Sequence, residues 1–366
     1  MRDLFEIVSA RGSHPVRISQ QGVRDVASSC DATVVLADSF FRDQLAGLDL
    51  PTLFIEATED GKQLTAIAPL IESLRAAGLA RDGHILAIGG GVIQDVACFI
   101  ATVYMRGVRW TLVPTTLLAM VDSCIGGKSS INVGAFKNLA GSFYPPDAII
   151  IPISAIETLP AEHVAAGQCE AAKICFAHGD SSFDAYLKLD RQGGLRDPAG
   201  LVSLSLNAKK WFVEIDEFDQ NERLLLNFGH SFGHAIESCT DYLVTHGVAV
   251  GVGCLAAVEA SCANSPALAE LPRVKALTND LLATLTQVSG LSDSLVGVGR
   301  DQFFHFWRSD KKHSPAEYRP ILIDETGFLY RAARPRNADT DLAIWTAFER
   351  ARDKVSQSSR ARFTHL

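Results

Sequence analysis

Three histidines and one glutamate have the residue types and spacing that a divalent metal site requires. His230 and His234 are four residues apart, so a helix places them on one face, and His246 follows twelve residues after His234. Neutral imidazoles and a carboxylate suit Zn²⁺, and Glu170, three residues before Lys173, is a candidate for the carboxylate. A single histidine more often caps a helix or lines a core, but three within seventeen residues favour a functional site.

A glycine-rich turn at Gly89–Gly91 follows a predicted strand and opens a predicted helix. Glycines let the backbone approach a bulky anion, and the amides of a helix N-terminus favour a pyrophosphate. The segment lacks the GxGxxG pattern, and a tight strand-to-helix turn explains the glycines equally well. Asp38, at the end of an earlier strand, is placed either to hold a ribose or to cap the next turn.

Several cations stand beside glycines or apolar residues and are candidates for binding an anionic substrate. Lys128 follows Gly126-Gly127, and Lys137 precedes Asn138. Glycine clears space for a phosphate beside a lysine, whereas an isolated lysine is usually a solvated surface charge. Further candidate cations are Arg106, Lys209, Arg223, Lys311 and Lys312.

The composition excludes other classes of protein. The chain has 366 residues, 47% of them hydrophobic, and a net charge of −8, so it lacks the positive field that nucleic acids or anionic membranes need. No apolar run approaches the roughly 20 residues of a membrane span. Met1–Arg17 lacks the apolar core of a signal peptide. We therefore expect a cytoplasmic protein that binds neither nucleic acid nor membrane.

Two regions with different periodicity predict two domains. Short apolar runs at 32–37, 52–55, 84–88, 110–113 and 148–153 alternate with amphipathic stretches, as in a parallel sheet with crossover helices. After Pro160 the chain is rich in alanine and leucine, and β-type runs return only near 320–330. The prediction is an α/β domain over 1–159 and an all-α domain over 160–366.

Taken together, these motifs resemble the dehydroquinate synthase family of sugar phosphate cyclases. The likeness runs from Asp38 to Lys312, with several blocks in the family's order. They are Gly89–Asp95 (GGGVIQD), Tyr104–Lys128 (YMRGVRWTLVPTTLLAMVDSCIGGK), Phe136–Asn138 (FKN), Glu157–Pro160 (ETLP), Cys169–Lys173 (CEAAK), Leu225–Glu237 (LLNFGHSFGHAIE), His246-Gly247 and Asp310–Lys312 (DKK).

The resemblance implies a Rossmann-like NAD domain, a helical metal- and substrate-binding domain, and a site in the cleft between them. It implies that Glu170, His230 and His246 bind Zn²⁺ or Co²⁺. It also implies that His234 binds the substrate phosphate and is not a metal ligand. The positions matching the NAD site are Asp38, Glu59, Lys62, Gly90, Gly91, Val92, Asp95, Thr115, Thr116 and Thr158.

The same resemblance assigns the substrate-binding positions. Those matching phosphate binding are Arg106, Lys128, Asn138, Asn227, His234, Lys311 and Lys312, with Arg106 supplied by the neighbouring subunit of a homodimer. Lys209 and Arg223 match positions that hold a substrate carboxylate. Asp122, Lys137 and Lys173 match positions that hold hydroxyls or the polar network.

The reaction implied by the family converts 3-deoxy-D-arabino-heptulosonate 7-phosphate to 3-dehydroquinate and phosphate. Bound NAD⁺ oxidises an alcohol transiently, phosphate leaves by elimination, the hydride returns, the ring opens and an intramolecular aldol reaction closes the carbocycle. Such an enzyme is a carbon–oxygen lyase of the shikimate pathway, which leads to the aromatic amino acids.

Three departures from the family pattern keep other functions open. Gln94 replaces a usual glycine, Val248 replaces a usual glutamate, and Gln168-Cys169 resembles the deoxyinosose branch. The alternatives are a specialised cyclase of amino-dehydroquinate, deoxy-scyllo-inosose or sedoheptulose 7-phosphate type, a metal-dependent polyol dehydrogenase, and a binding protein without activity.

Overall fold

The protein is described here by a computed structural model, which covers residues 1–134, 136–189 and 195–363. For residues 362 and 363 it describes the backbone only. Two compact units make up this part of the chain. The first comprises Met1–Leu159 and Pro198–Phe218, and the second comprises Pro160–Asp197 and Asp219–Leu366. The segment Pro198–Phe218 thus clusters with the N-terminal unit, although it lies in the C-terminal half of the sequence.

A seven-stranded sheet forms the core of the first unit, in the order β1-β2-β9-β6-β5-β3-β4. Its pairs are parallel except for the β1–β2 hairpin, and β7 pairs with β8 in a separate antiparallel hairpin. The strands of this unit are β1 (Arg2–Ser9), β2 (Gly12–Ser19), β3 (Val34–Asp38), β4 (Thr52–Ile55), β5 (His84–Gly89), β6 (Arg109–Pro114), β7 (Ile131–Val133), β8 (Phe136–Ala140) and β9 (Ala148–Pro152).

The central strands are uninterrupted apolar runs because helices cover both faces of a parallel sheet. Val34–Ala37 and Ile85–Ile88 are fully buried. The helices of the chain are α1 (Val23–Ser29), α2 (Leu64–Ala76), α3 (Gly91–Val103), α4 (Ala161–His178), α5 (Asp180–Leu187), α6 (Pro198–Ile215), α7 (His230–Cys239), α8 (His246–Asn264), α9 (Pro272–Leu285), α10 (Leu291–Val296), α11 (Arg300–Ser309) and α12 (Ala338–Phe363). Of these, α1–α3 and α6 belong to the first unit.

The second unit is built around α8, which packs against α4, α7 and α12. Four short strands form two antiparallel pairs, β10 (Glu317–Tyr318) with β13 (Arg334–Pro335) and β11 (Ile321–Ile323) with β12 (Leu329–Arg331). In the described part of the chain, α8 alone is long and apolar enough to cross a membrane, but 78% of its apolar stretch is buried inside the protein. Helix α8 is therefore buried to the extent expected of a core helix.

The predicted fold class is confirmed. Each apolar run predicted in the first unit overlaps a strand of the parallel sheet, and the second unit is largely helical. The hairpin formed by β1 and β2 was not predicted from the sequence. Its first strand is mostly exposed, so it lacks the apolar run that marks the buried strands.

Candidate active site

A histidine cluster lies where α7 and α8 begin. His230 and His234 are one turn apart on α7, and His246 is the first residue of α8. The ligating atoms of the three rings all lie within 4.8 Å of one another. Gly229 precedes α7 with φ 77°, and a Cβ there would lie 2.6 Å from the Cys254 amide nitrogen. Only glycine permits this close approach of α7 to α8, which brings the histidines together.

Glu170 places a carboxylate beside two of these rings. Its side chain is fully buried on α4, with Oε1 3.6 Å from His246 Nε2 and 4.0 Å from His230 Nε2. Lys173, one turn further along α4, is paired with Oε2. Oε1 has no hydrogen-bond partner among the described residues, whereas Oε2 is held by the Lys173 ammonium.

This donor set fits a divalent metal ion. Two ligands of a tetrahedral Zn²⁺ ion are separated by about 3.4 Å when each bond is about 2.1 Å, close to the two distances from Glu170 Oε1. A buried carboxylate oxygen without a partner is costly, and a cation bonded to Oε1 removes that cost. Glu170, His230 and His246 are therefore suited to hold a metal ion, and the set leaves a coordination position for a substrate.

The electrostatics favour neutral imidazoles on α7, which is the form that binds metals. Burial lowers the pKa of His230 well below its ordinary value, and Lys173 adds to this effect. Burial, together with Lys312, lowers the pKa of His234 to about 4. Burial also opposes charge on His246, but Glu237 and Glu170 raise the pKa of His246 above its ordinary value.

His234 has a different environment from the other two histidines. Its Nδ1 lies 3.3 Å from Lys312 Nζ and 3.7 Å from Asp310 Oδ2, and Lys312 pairs with Asp310 at 2.8 Å. An ammonium can only donate, so the contact with Lys312 is a hydrogen bond when Nδ1 is the acceptor, which is the tautomer with the ring proton on Nε2. An Nε2–H group is a donor for an anion, not a metal ligand. This tautomer favours the phosphate-binding role that the resemblance implies for His234.

Glu237 is a site residue that the sequence reasoning missed. Its Oε2 lies 3.1 Å from His246 Nδ1, the nitrogen that faces away from Glu170. A carboxylate in this position fixes the ring orientation and leaves Nε2 free to bind a metal. The sequence spacing could have identified Glu237 as a neighbour of the histidines. It follows His234 by three residues and His230 by seven, which places all three on one helix face.

The glycine turn of the first unit joins β5 to α3. A Cβ at Gly90 would lie 2.8 Å from Thr116 Cγ2, so this glycine is required by close packing against Thr116. At Gly91, the first residue of α3, a Cβ would meet no atom within 4 Å. The open space beside Gly91 leaves the first amides of α3 accessible to an anion.

A polar network connects the turn before α2 with α3 and the β7–β8 hairpin. Lys62 Nζ lies 2.8 Å from Asp95 Oδ2 and 3.3 Å from Asn138 Oδ1. Lys137 Nζ lies 3.3 Å from Glu59 Oε1. Burial raises the pKa of Asp95 to about 6, although Lys62 acts to lower it. Predicted NAD-binding and substrate-binding positions thus share one network.

Asp122 and Lys209 form a second polar group in the same unit. Lys209 Nζ lies 2.7 Å from Asp122 Oδ1 and donates to the carbonyls of Asp122 at 2.6 Å and Ile125 at 3.2 Å. These three oxygens match the three donors of an ammonium. If Lys209 binds a substrate carboxylate, that carboxylate must therefore replace one of these three oxygens as a partner of the ammonium.

The other predicted positions of the first unit lie as follows. Asp38 caps the short turn Ser39–Phe41, with Oδ1 accepting from the Phe40 amide at 3.0 Å. Thr115 is buried, whereas Arg106 and Thr158 are exposed. Val92 is half-buried on α3, and Lys128 is half-buried with Nζ 5.9 Å from the centre of the Phe143 ring.

In the second unit, Arg223 is buried and lies with Asn227 in the turn Glu222–Asn227. The Asn227 amide group donates to the Leu224 carbonyl at 3.1 Å. Lys311 is exposed, while Lys312 is half-buried beside His234. The second unit therefore brings Glu170, His230, His246 and the His234–Lys312 pair into one cluster.

Comparisons with known proteins agree with the motifs. The family model for the 3-dehydroquinate synthase N-terminal part matches residues 52–166, and that for the C-terminal part matches 167–313. A 3-dehydroquinate synthase of Saccharopolyspora erythraea is 38% identical over 328 residues, which cover 87% of this chain and 85% of the relative. One of Lactiplantibacillus plantarum is 34% identical over 303 residues, covering 82% and 81%.

A solved structure shares the fold. It is a 2-deoxy-scyllo-inosose synthase in complex with carbaglucose-6-phosphate, NAD⁺ and Co²⁺, with a TM-score of 0.78 and 24% identity. The match covers 94% of this chain and 99% of that one. The family models span most of the chain and the two relatives match it over more than four fifths of their length, so this protein is an enzyme of the 3-dehydroquinate synthase family.

Proposed function

We propose that this protein is a 3-dehydroquinate synthase, which converts 3-deoxy-D-arabino-heptulosonate 7-phosphate to 3-dehydroquinate and phosphate. The observation that carries the proposal is the cluster of the second unit, where the Glu170, His230 and His246 donor set lies next to the His234–Lys312 pair. A lyase that eliminates phosphate needs ligands for a metal ion and, beside them, hydrogen-bond donors for the departing phosphate, and this cluster offers both. The relatives that carry this name support the choice of reaction.

The cofactors proposed are NAD and a divalent metal, Zn²⁺ or Co²⁺. Glu170, His230 and His246 would hold the metal, and the residues of the first unit around Gly90 and Gly91 would hold NAD. When bound, NAD supplies a reversible hydride acceptor and the metal supplies a Lewis acid at the substrate oxygen.

The side chains have separate tasks in the proposed mechanism. The Nε2–H group of His234 and the Lys312 ammonium stabilise the charge of the phosphate as it leaves with the electron pair of the broken C–O bond. Arg223 holds the substrate carboxylate through its planar fork, with Lys209 as a second cation. Other residues proposed to hold phosphate are Arg106, Lys128, Asn138, Asn227 and Lys311, and those proposed for hydroxyls or the polar network are Asp122, Lys137 and Lys173.

The assembly and location are part of the same proposal. We expect a cytoplasmic homodimer in which Arg106 of one protomer serves the site of its partner. Arg106 is exposed and has a left-handed backbone conformation with φ 69°. Such a conformation is unusual for a residue with a side chain and is compatible with an arginine held outward at a turn.

Phosphate release from a panel of sugar phosphates tests the function. With NAD⁺ and Zn²⁺ present, we expect release from 3-deoxy-D-arabino-heptulosonate 7-phosphate and no accumulation of NADH, because the hydride returns to the same molecule. Glucose 6-phosphate and sedoheptulose 7-phosphate are the comparison substrates. Steady NADH formation without phosphate release would instead identify a polyol dehydrogenase.

A specialised cyclase is the second candidate, and two features of the second unit favour it. Gln168 and Cys169 are buried on α4, and Val248 is buried in the first turn of α8, close in sequence to His246. Gln168-Cys169 resembles the deoxyinosose branch and Val248 replaces a usual glutamate, and these two departures are the reason for the second candidate. Release of phosphate from a sugar without a carboxylate, and not from the heptulosonate, would decide for this candidate.

Gly91→Val is expected to weaken NAD binding at least about a hundredfold, which equals roughly 2.7 kcal/mol and the loss of one or two charge-assisted hydrogen bonds. A Cβ at Gly91 would meet no atom of another segment of the chain within 4 Å, so the new side chain begins in the open space beside the first amides of α3. Gly90→Val is less informative because its Cβ would strike Thr116. Calorimetric titration with NAD⁺ measures the effect.

Gly22→Val is the matched control for Gly91→Val. It adds the same side chain at the N-terminus of α1 in the same unit, where the nearest atom to a new Cβ is 4.0 Å away. We expect this variant to bind NAD⁺ with the affinity of the unmodified protein. Unchanged NAD⁺ affinity in Gly91→Val would refute the assignment of the glycine turn.

A further inference from the structure

A one-turn π-helix carries Asp122. It spans Ala119–Ser123, and the Cys124 amide donates to the Ala119 carbonyl five residues earlier, at 3.0 Å. π-Turns are rare and occur frequently at functional sites, where the wider turn redirects a side chain. The position of Asp122, the proposed hydroxyl-binding residue, therefore depends on this π-turn, and the π-turn needs stabilising contacts from other elements.

Side chains from other elements bind the carbonyls at the end of this turn. Ser205 Oγ donates to the Val121 carbonyl at 2.9 Å, and Lys209 binds the carbonyls of Asp122 and Ile125. Both come from α6, in the same compact unit. The Ser123 carbonyl, in the same stretch, is bound by a residue of α3.

Gln94 makes that contact through both ends of its amide. Its Nε2 donates to the Ser123 carbonyl at 2.7 Å, and its Oε1 accepts from Ser123 Oγ at 2.9 Å. The side chain is 5% exposed, so water competes little for these two bonds. Gln94 lies one residue before Asp95 and one helical turn after the glycine turn.

We propose that Gln94 is a positioning residue, which holds the π-turn so that Asp122 stays aligned relative to the nucleotide-binding end of α3. The reciprocal pair fixes both the backbone and the side chain of Ser123, the immediate neighbour of Asp122. Without it, the Ser123 carbonyl loses its hydrogen bond to α3, and the side-chain contacts from α6 remain. The consequence for catalysis rests on the proposed function of Asp122.

Gln94→Met tests the proposal because it keeps the length of the side chain and removes both hydrogen bonds. We expect kcat/KM for the heptulosonate phosphate to fall about 10- to 100-fold, the scale expected when a substrate-positioning group is displaced. The Kd for NAD⁺ should stay within about threefold, since the glycine turn is untouched. Amide hydrogen exchange over 119–125 should become at least about tenfold faster.

Ser123→Ala and Thr111→Val complete the experiment. Ser123→Ala removes one of the two bonds and keeps the carbonyl bond, so its effects should be smaller than those of Gln94→Met. Thr111→Val breaks a buried side-chain bond to His84 at 2.9 Å in the same unit, away from the π-turn. It should lower the melting temperature without changing kcat/KM or exchange over 119–125.

Two results would overturn the proposal. One is unaltered exchange over 119–125 in Gln94→Met, whatever the activity. The other is faster exchange with kcat/KM equal to that of the unmodified protein, which would leave Gln94 a purely structural role. Failure of the proposed function is recognised separately, because the unmodified protein would then release no phosphate from the heptulosonate, and the exchange measurement would still decide whether Gln94 holds the turn.

Discussion

His246→Ala should reduce the bound metal to less than about a tenth of one equivalent and lower phosphate release by at least about a thousandfold, because it removes one of three protein ligands of a catalytic metal. The side chain is 37% exposed, so its loss should leave the fold intact. Elemental analysis after dialysis measures the metal. The rise in melting temperature when Zn²⁺ is added to metal-free protein measures binding independently of activity.

His234→Ala is the matched control, because it removes a histidine of the same cluster that we assign to phosphate. This variant should keep its metal and lose phosphate release. Glu237→Gln should give an intermediate result, with metal affinity about 10- to 100-fold weaker, since Gln cannot supply the carboxylate that orients His246. Metal lost in both His246→Ala and His234→Ala would assign the metal to the three histidines instead of to the set with Glu170.

Arg223→Ala should abolish most of the enzyme's preference for a carboxylated substrate. In the unmodified protein, we expect the heptulosonate phosphate to exceed sedoheptulose 7-phosphate in kcat/KM by at least about a hundredfold, or roughly 3 kcal/mol. Arg223 is 3% exposed, so water competes little for a bidentate bond between its guanidinium and a substrate carboxylate, and a sugar without the acid cannot form that bond. Arg223→Ala should therefore lower kcat/KM for the heptulosonate phosphate far more than kcat/KM for sedoheptulose 7-phosphate.

Arg223→Lys separates charge from geometry in this experiment. It keeps the positive charge but not the planar fork, so part of the preference should remain. The measurement is kcat/KM for both sugars in all three proteins. Equal values for the two sugars in the unmodified protein would contradict the carboxylate assignment of Arg223 and Lys209 and would favour the specialised cyclase.

Much of the fold could be predicted from the sequence because its signals are local. The runs at 34–37 and 85–88 are buried on both faces of a parallel sheet, so nothing polar interrupts them. The glycine turn and the i, i+4 histidines are also short-range patterns. The residues of β1 were not recognised as a strand because an exposed edge strand has no such apolar pattern and is held by pairing with β2.

From the sequence alone we could predict the buried strands of the parallel sheet, the glycine turn, and the residue types available for a metal and a phosphate. The pairing of those residues became visible only in the folded protein. Residue spacing could not separate His234 from His230, since both lie on one face of α7. Their partners, Lys312 and Glu170, lie far away in the chain. Gln94 and Ser123 likewise meet across 29 residues. Such pairs form because a buried polar group needs a partner, and folding determines which partner is within reach.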